Sequence, residues 1–183
     1  MIAQQIKRHT RDEFDGFINL PENADKLFEF IGGEIVEVPS NPYSSQISAF
    51  IIAALIVYIK GKNLGHVTGE AGGYMVAGEL YAPDVAFISK ERQPELAREG
   101  YNPNPPDLAV EVVSPTDTDK RLRIKVVNYL AVGTMVWIVY PQLKEVEVYV
   151  PGQPVKIVDF DGVLDGGDVL PEFSLAVKEI FPE

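Results

Sequence analysis

The sequence predicts an α/β domain in which helices flank a mixed central β-sheet. Two segments, residues 43–62 and 117–132, repeat apolar residues at helical spacing, and strand-like segments lie before and after each of them. Residues 108–113 form an almost unbroken apolar run, which is typical of a central strand covered on both faces. This order of elements is that of a sheet with helices on its faces, and we expect one domain over residues 1–183.

The N-terminal part of the chain is predicted to add a short helix and a hairpin to this core. Residues 9–18 have helical spacing, and Thr10 is suited to cap their N-terminus. Residues 27–31 and 34–38 alternate like strands. The Gly-Gly pair between these two segments predicts a tight turn, so the segments are expected to pair as a hairpin.

Further strands are expected on both sides of the second long helix. Residues 66–76 are interpreted as one strand with bulges, because three glycines interrupt them, and residues 81–88 as another. The second helix is expected to begin at a cap on Thr116 or Asp117 and to end at Gly133. An apolar strand over residues 135–139 and an alternating edge strand over residues 145–150, paired as a hairpin, are expected after it. Two or three short strands are expected near the C-terminus.

The composition limits the kinds of site that the chain can carry. It has no cysteine and two histidines, which excludes disulfides and thiol nucleophiles and argues against a histidine cage, so any metal would be held by oxygen. The N-terminus lacks a signal-peptide core. The longest apolar run, residues 51–59, is far shorter than the roughly 20 residues of a membrane span. A soluble, cytoplasmic protein without membrane contact is expected.

The net charge of −11 argues against a broad nucleic-acid-binding surface, because phosphate neutralisation by Lys and Arg supplies much of the affinity for nucleic acid. One local basic group is present in the second helix, and it consists of Lys120, Arg121, Arg123 and Lys125. The charge therefore does not identify the partner.

Two carboxylates are expected in the interior, where an unpaired charge is costly. Glu111 interrupts the apolar run of residues 108–113, and its alternative role is an ion pair with a nearby arginine. Asp84 and Asp107 each follow a proline, and they are the two candidates for the second carboxylate. Asp107 would lie roughly 13 Å from Glu111 along one strand, too far to share a metal ion, whereas Asp84 would lie beside Glu111 if the two strands pair. We therefore select Asp84 and assign Asp107 to the strand start.

Lys125 falls inside the apolar arc of the second helix. With about 100° of rotation per residue, the Lys125 side chain falls between those of Val132 and Tyr129 around the helix axis. One interpretation is that the ammonium projects over the sheet toward the two carboxylates. The alternative, equally open at this point, is that the stem packs on the protein while the ammonium reaches water.

Asp84, Glu111 and Lys125 together indicate a metal-assisted hydrolytic site. Carboxylates on adjacent strands bind Mg²⁺ (or Mn²⁺) through oxygen, and such a metal polarises a phosphate and lowers the pKa of a bound water. A lysine beside them orients or helps to deprotonate the attacking water, and it offsets negative charge in the transition state.

With these residues the sequence resembles the PD-(D/E)XK, or restriction-endonuclease-like, nuclease superfamily, and within it a large bacterial branch of unknown biological role. The resemblance covers most of the chain, and the segments that carry it are FEFIGGEIVEVP, YAPDVAFIS, PDLAVEVVSP, KVVNYLAVG, VWIVYP and LPEFSLAVKEIF. It implies a restriction-endonuclease-like core, to which the N-terminal hairpin and the C-terminal strands are additions.

The resemblance assigns roles residue by residue. Asp84 matches the Asp of the PD motif and Glu111 the acidic residue of the (D/E)XK strand, and both are implied metal ligands. The superfamily places a lysine two residues after this acid, but this chain has Val113 at that position. Lys125 matches a lysine that has moved to the following helix. Glu34 resembles a further acidic residue of the branch, a metal ligand or water-positioning group, and its alternative is an exposed hairpin residue.

The function that the resemblance implies is a metal-dependent endonuclease that hydrolyses phosphodiester bonds in DNA. Two alternatives stay open. One is a catalytically inactive interaction module on the same scaffold. The other is a hydrolase of a small phosphorylated substrate, which suits an acidic protein because a small substrate needs no basic track. A homodimer formed through the apolar edge strands is also expected.

Overall fold

A computed structural model describes residues 8–23, 26–37, 41–114 and 118–182. The α-helices in these ranges are α1 (Arg11–Ile18), α2 (Pro42–Ile59) and α3 (Asp119–Ala131). The strands of the first half are β1 (Phe28–Ile31), β2 (Glu34–Glu37), β3 (Gly65–Gly69), β4 (Tyr74–Val76), β5 (Glu79–Tyr81) and β6 (Val85–Ser89). Those of the second half are β7 (Leu108–Val112), β8 (Met135–Tyr140), β9 (Glu145–Tyr149), β10 (Lys156–Val158), β11 (Val163–Gly166) and β12 (Leu170–Ala176).

The central sheet is mixed, as the sequence predicts. Its strands lie in the order β10-β9-β8-β7-β6-β3. The β7 and β8 strands are parallel, because α3 connects them across one face, and the other neighbours are antiparallel. The apolar strand β7 lies inside the sheet with both faces covered, which confirms the prediction for this segment.

A second sheet, in the order β2-β1-β5-β4, packs beside the central one. Its presence corrects two predictions, because residues 66–76 and 81–88 each divide into two strands that belong to different sheets. The first division follows from a turn at Gly72, where a Cβ would lie 2.7 Å from the side chain of Thr68. The second follows from Pro83, which has no N–H for a ladder and separates β5 from β6.

The two faces of the central sheet bury different layers. The side chains of Leu108, Val110 and Val112 point to the face covered by α2 and the β11–β12 pair, where the largest apolar core lies. Ala109 points to the opposite face, which is covered by α3 and the second sheet. Alternation along β7 therefore directs Glu111 toward α3.

Side-chain caps fix the ends of the helices. Thr10 caps α1 in a capping box with Glu13, as predicted. For α3 the cap is Thr118, whose hydroxyl accepts from the amide of Arg121 at 3.4 Å. Thr116 and Asp117, the residues predicted for this cap, lie outside the described residues. Gly133 follows the end of α3 with a φ of +80°, as the helix-stop prediction requires.

By length and composition, α2 is the one helix in the described ranges that would suffice to cross a membrane, with a mean hydropathy of 1.6. Core helices of water-soluble proteins can have the same length and composition, so one such helix is weak evidence for a membrane span. One side of α2 packs on the central sheet through Ile47, Ile51 and Leu55, which are fully buried.

Candidate active site

A buried cluster joins α3 to both sheets through Lys125. Its ammonium lies 2.6 Å from Glu111 Oε2, on β7, and 2.9 Å from Glu29 Oε1, on β1. Lys125, Glu29 and Glu111 are between 6% and 8% exposed. The interpretation that the ammonium reaches water is therefore wrong, and so is an arginine as the partner of Glu111.

Helical spacing completes the contacts of Glu111. Tyr129 lies one turn after Lys125 on α3, and its hydroxyl donates to Glu111 Oε1 at 3.0 Å. Each carboxylate oxygen of Glu111 thus accepts one hydrogen bond from α3, and each keeps a second lone pair for another partner. The carboxylate is held at a fixed place on the strand.

Asp84 directly precedes β6, the strand next to β7. The ladder of β6 and β7 ends at the pair Val85 and Val110, and Asp84 and Glu111 are the residues directly beyond that pair. The Asp84 carboxylate is close enough to Glu111 to raise the pKa of Glu111. Asp84 Oδ2 accepts from the amide of Val112 at 2.6 Å, which fixes the carboxylate at the end of β6.

Asp107 has the structural role that the sequence predicts for it. Its carboxylate accepts from the amide of Ser89 at 2.6 Å and pairs with Arg92 at 3.0 Å. These contacts fix the connection into the start of β7, at the end of the strand remote from Glu111.

Glu29 is a member of the cluster that the sequence analysis did not select. Its carboxylate also accepts from the amide of Ala82 at 2.8 Å, between β5 and β6. The signal was present in the sequence, because alternation along β1 places Glu29 on the same face as Ile31 and opposite to Phe28 and Phe30. Both faces of β1 are buried, so a charged residue on this strand needs an interior partner.

Burial is the largest influence on the electrostatics of the cluster. Burial raises the pKa of Glu111 to about 8, although the Lys125 ammonium acts in the opposite direction. The nearby carboxylates of Glu29 and Asp84 add to the increase. Burial disfavours the charge of Lys125, but its two carboxylate partners outweigh burial and raise the pKa of Lys125 above its ordinary value. The Lys125 ammonium thus binds two carboxylates, and Asp84 is a third acid near Glu111.

Glu34, the third acid selected from the sequence, lies on β2 near the N-terminus of α3. It pairs with Arg121 at 2.9 Å and with Lys120 at 3.5 Å. Hydrogen bonds from Arg121 lower the pKa of Glu34 against the opposing effect of partial burial. Its hydrogen bonds among the described residues anchor the hairpin to α3, one helical turn from Lys125.

The lowered pKa of Glu34 has a consequence for stability. An acid whose pKa is lower in the folded state stabilises the protein above its ordinary pKa, here 4.5, and loses that effect as the pH falls through the folded-state value. We expect Glu34→Gln to lower the free energy of unfolding at neutral pH by at most about 1 kcal/mol, because the pair is near the surface. Urea unfolding of both proteins should show this difference shrinking below pH 4.5. A difference that grows in acid would contradict the assignment.

The second sheet contacts α3 through three acids in a row. Glu34, Glu29 and Glu79 bind, respectively, Arg121, Lys125 and Asn128, and these three helix residues face the sheet at helical spacing. Glu79 also accepts from the amide of Gly32 at 2.7 Å and from the hydroxyl of Tyr81. The row fixes the rotation of α3 and with it the direction of Lys125.

The donors in the cluster suit a hard divalent cation. Among the described residues, no group of three or more Asp, Glu and His side chains is placed to hold a metal. Asp84 and Glu111 nevertheless supply two carboxylates side by side, and Mg²⁺ commonly takes one or two carboxylates from a protein and completes its shell with waters and substrate phosphates. Glu29, Glu111 and the nearby Asp84 outnumber the one ammonium of Lys125, which also suits a divalent cation.

The fold places the chain among the restriction-endonuclease-like proteins. The chain belongs to the Uma2 family, whose printed description is "putative restriction endonuclease" and whose model matches residues 14–178. It is also similar to a protein of known crystal structure from Anabaena variabilis ATCC 29413, described as a putative nuclease. The two share 24% sequence identity and a TM-score of 0.79, over 91% of this chain and 96% of that one. None of the curated proteins matches this chain.

Proposed function

We propose that this protein hydrolyses phosphodiester bonds in DNA with a divalent cation, Mg²⁺ or Mn²⁺, held by Asp84 and Glu111. The observation that carries the proposal is the ion pair between Lys125 and Glu111, at 2.6 Å in the interior and next to Asp84. A structural ion pair needs no third acid beside it. Membership of a family whose description is "putative restriction endonuclease" supports the assignment of a nucleic acid as substrate.

Each residue of the cluster has a role that follows from its contacts. Asp84 and Glu111 are the residues that would hold the cation, which supplies Lewis-acid polarisation of a phosphate and acidifies water when it is bound. Lys125 presents an ammonium that stabilises negative charge developing on the phosphate. Tyr129 orients the Glu111 carboxylate through its hydroxyl, and Glu29 holds the Lys125 ammonium against the sheet.

The first test is metal binding, because it does not depend on the choice of substrate. Calorimetric titration with Mg²⁺ and with Mn²⁺ should show one site per chain in the wild type and none in Asp84→Ala. Asp107→Ala is the matched control, since it removes an acid from the other end of β7. Equal binding in wild type and Asp84→Ala would contradict the proposed ligands.

The second test is cleavage. Wild-type protein with Mg²⁺ or Mn²⁺ should cleave DNA, and both Asp84→Ala and Lys125→Ala should abolish cleavage. Activity that survives both substitutions would belong to a contaminant or to another site. Folding of each variant is checked by circular dichroism, because a protein that has lost its structure is also inactive.

Hydrolysis of a small phosphorylated substrate is the second candidate, and the net charge of −11 favours it. A long polyanion is repelled by such a chain, whereas a small phosphate ester needs only the local charges of the site. A metal-dependent phosphatase activity toward small esters, lost in Asp84→Ala and accompanied by no DNA cleavage, would select this candidate. Metal binding without any hydrolysis would instead favour an inactive module.

A further inference from the structure

Cationic side chains lie on both sides of the turn of the β1–β2 hairpin. On one side is Arg8, because a Cβ added to Gly33 would lie 3.3 Å from the Arg8 Cβ. The amide of the next residue along the chain donates to the carbonyl of Gly33 at 2.8 Å, which fixes this contact. On the other side are Lys120 and Arg121, from the first turn of α3, which both contact Glu34.

The acids at this turn are engaged by contacts within the protein. The Glu34 side chain is 18% exposed, and it accepts two hydrogen bonds from the Arg121 guanidinium, at 2.9 and 3.2 Å. The half-buried Glu79 accepts from the amide of Gly32 at 2.7 Å and from Asn128 at 3.0 Å. Neither carboxylate is therefore placed to neutralise a cation on the outer surface.

Two cations stay available on that outer surface. Arg8 is exposed and makes no ion pair within the part of the chain that the structure describes. The Lys120 side chain is 59% exposed, and its ammonium lies 3.5 Å from Glu34, outside the usual hydrogen-bond range of about 2.7–3.2 Å. The surface around the turn is thus locally positive in a chain whose net charge is −11.

This positive surface lies at the same edge of the central sheet as the candidate metal site. Because β7 and β8 are parallel, α3 runs back between them, and its first turn lies beside the carboxyl end of β7. Asp84 and Glu111 are at that end as well. A substrate that reaches the two carboxylates from this edge therefore passes the hairpin turn.

The spacing along α3 suits successive phosphates of a DNA strand. Lys120 precedes Lys125 by five residues, which is about 7.5 Å along the helix axis at 1.5 Å per residue. Phosphates of one strand follow one another at about 3.4 Å along the duplex axis. A strand whose scissile phosphate lies at Lys125 would therefore bring a phosphate about two nucleotides away to Lys120.

We infer that Arg8 and Lys120 bind backbone phosphates of the substrate strand, about two nucleotides from the bond that is cleaved, and this role rests on the proposed function. Phosphates are attracted to this edge and repelled by the negative remainder of the surface, so the strand is directed toward Asp84 and Glu111. Phosphate contacts position the DNA and carry no sequence information, so these two residues confer no base preference.

The experiment is fluorescence anisotropy on the full chain with a labelled DNA duplex, at a series of NaCl concentrations. Ca²⁺ replaces Mg²⁺, since it also takes oxygen ligands, and a gel verifies that the DNA stays intact. Arg8→Gln combined with Lys120→Gln should raise Kd roughly 10-fold and lower the slope of log Kd against log salt by about 2, because each lost phosphate contact removes about one.

Lys60→Gln combined with Lys178→Gln is the matched control. Both lysines are exposed, and they lie on the α2 side of the central sheet, remote from α3. This pair removes the same two positive charges from the chain, and it should change Kd less than about twofold. Circular dichroism verifies that both double variants fold. Equal losses of affinity in the two variants, or no loss in either, would overturn the inference.

Initial cleavage rates with Mg²⁺ provide a second readout, in which Arg8→Gln with Lys120→Gln should raise KM and change kcat less than about twofold. The two proposals fail in different ways. Binding with the expected difference between the double variants, but without cleavage in Mg²⁺ or Mn²⁺, would overturn the proposed function and support the phosphate contacts. Cleavage with the same KM in both double variants would support the function and overturn the contacts. A wild type that binds no DNA would overturn both.

Discussion

Replacement of Lys125 with methionine is expected to lower the free energy of unfolding by about 3–5 kcal/mol. The substitution keeps an apolar stem of similar length but leaves Glu29 and Glu111 buried without their shared cation, and breaking a buried ion pair from one side has a cost of this size. Urea unfolding at pH 7, followed by circular dichroism, measures the difference. A matched control is Lys120→Met on the same helix, because the Lys120 side chain is 59% exposed and should contribute less than about 1 kcal/mol.

The cause of this destabilisation can be separated from a loss of packing. If the unpaired acids are responsible, then adding Glu29→Gln and Glu111→Gln to Lys125→Met should restore more than half of the lost stability, because the triple variant buries no net charge. A triple variant that is less stable than Lys125→Met would show that the polar network itself, rather than the charge, stabilises this region. The network would then be a structural element of the fold.

The residues at the centre of the site could be predicted because each breaks a strong local pattern. Glu111 interrupts an apolar strand and Lys125 an apolar helical arc, and both deviations are visible in short windows of sequence. Asp84 required one further assumption, that two strands pair directly, and the register of β6 with β7 satisfies it. The catalytic and metal-binding roles of these residues remain predictions.

The second sheet could not be predicted in the same way, because it depends on which strands share a sheet. The sequence shows strand propensity on both sides of Pro83, but it does not show that the chain changes sheets there. For the same reason the sequence does not identify the partner of Glu29. Its partner, Lys125, is 96 residues away, and only the position of the hairpin over α3 brings the two together. Glu34 was assigned to the site instead, because it resembles a further acidic residue of the family branch.

The two hairpin acids therefore provide a direct comparison, and Glu29→Gln is expected to reduce DNA cleavage about 10- to 100-fold. Glu29 and Glu34 lie on the same face of the hairpin, and each binds a cation of α3, at positions 125 and 121. Residues that orient a reactive group through a hydrogen bond have effects of this size. Because the neutral amide introduced by Glu29→Gln carries no charge to fix the ammonium, kcat should fall while KM changes little. Initial rates at saturating Mg²⁺ measure both constants.

Glu34→Gln is the matched control and should change the cleavage rate less than about threefold, because its ion pair is near the surface and one turn away from Lys125. The two variants make the same chemical change at the same sheet, so a general loosening of the hairpin would affect both. Equal losses in the two variants would mean that Glu29 acts only through the stability of the hairpin. A larger loss in Glu34→Gln would restore Glu34 as the acid of the site, and Glu29 would then be a structural partner of Lys125.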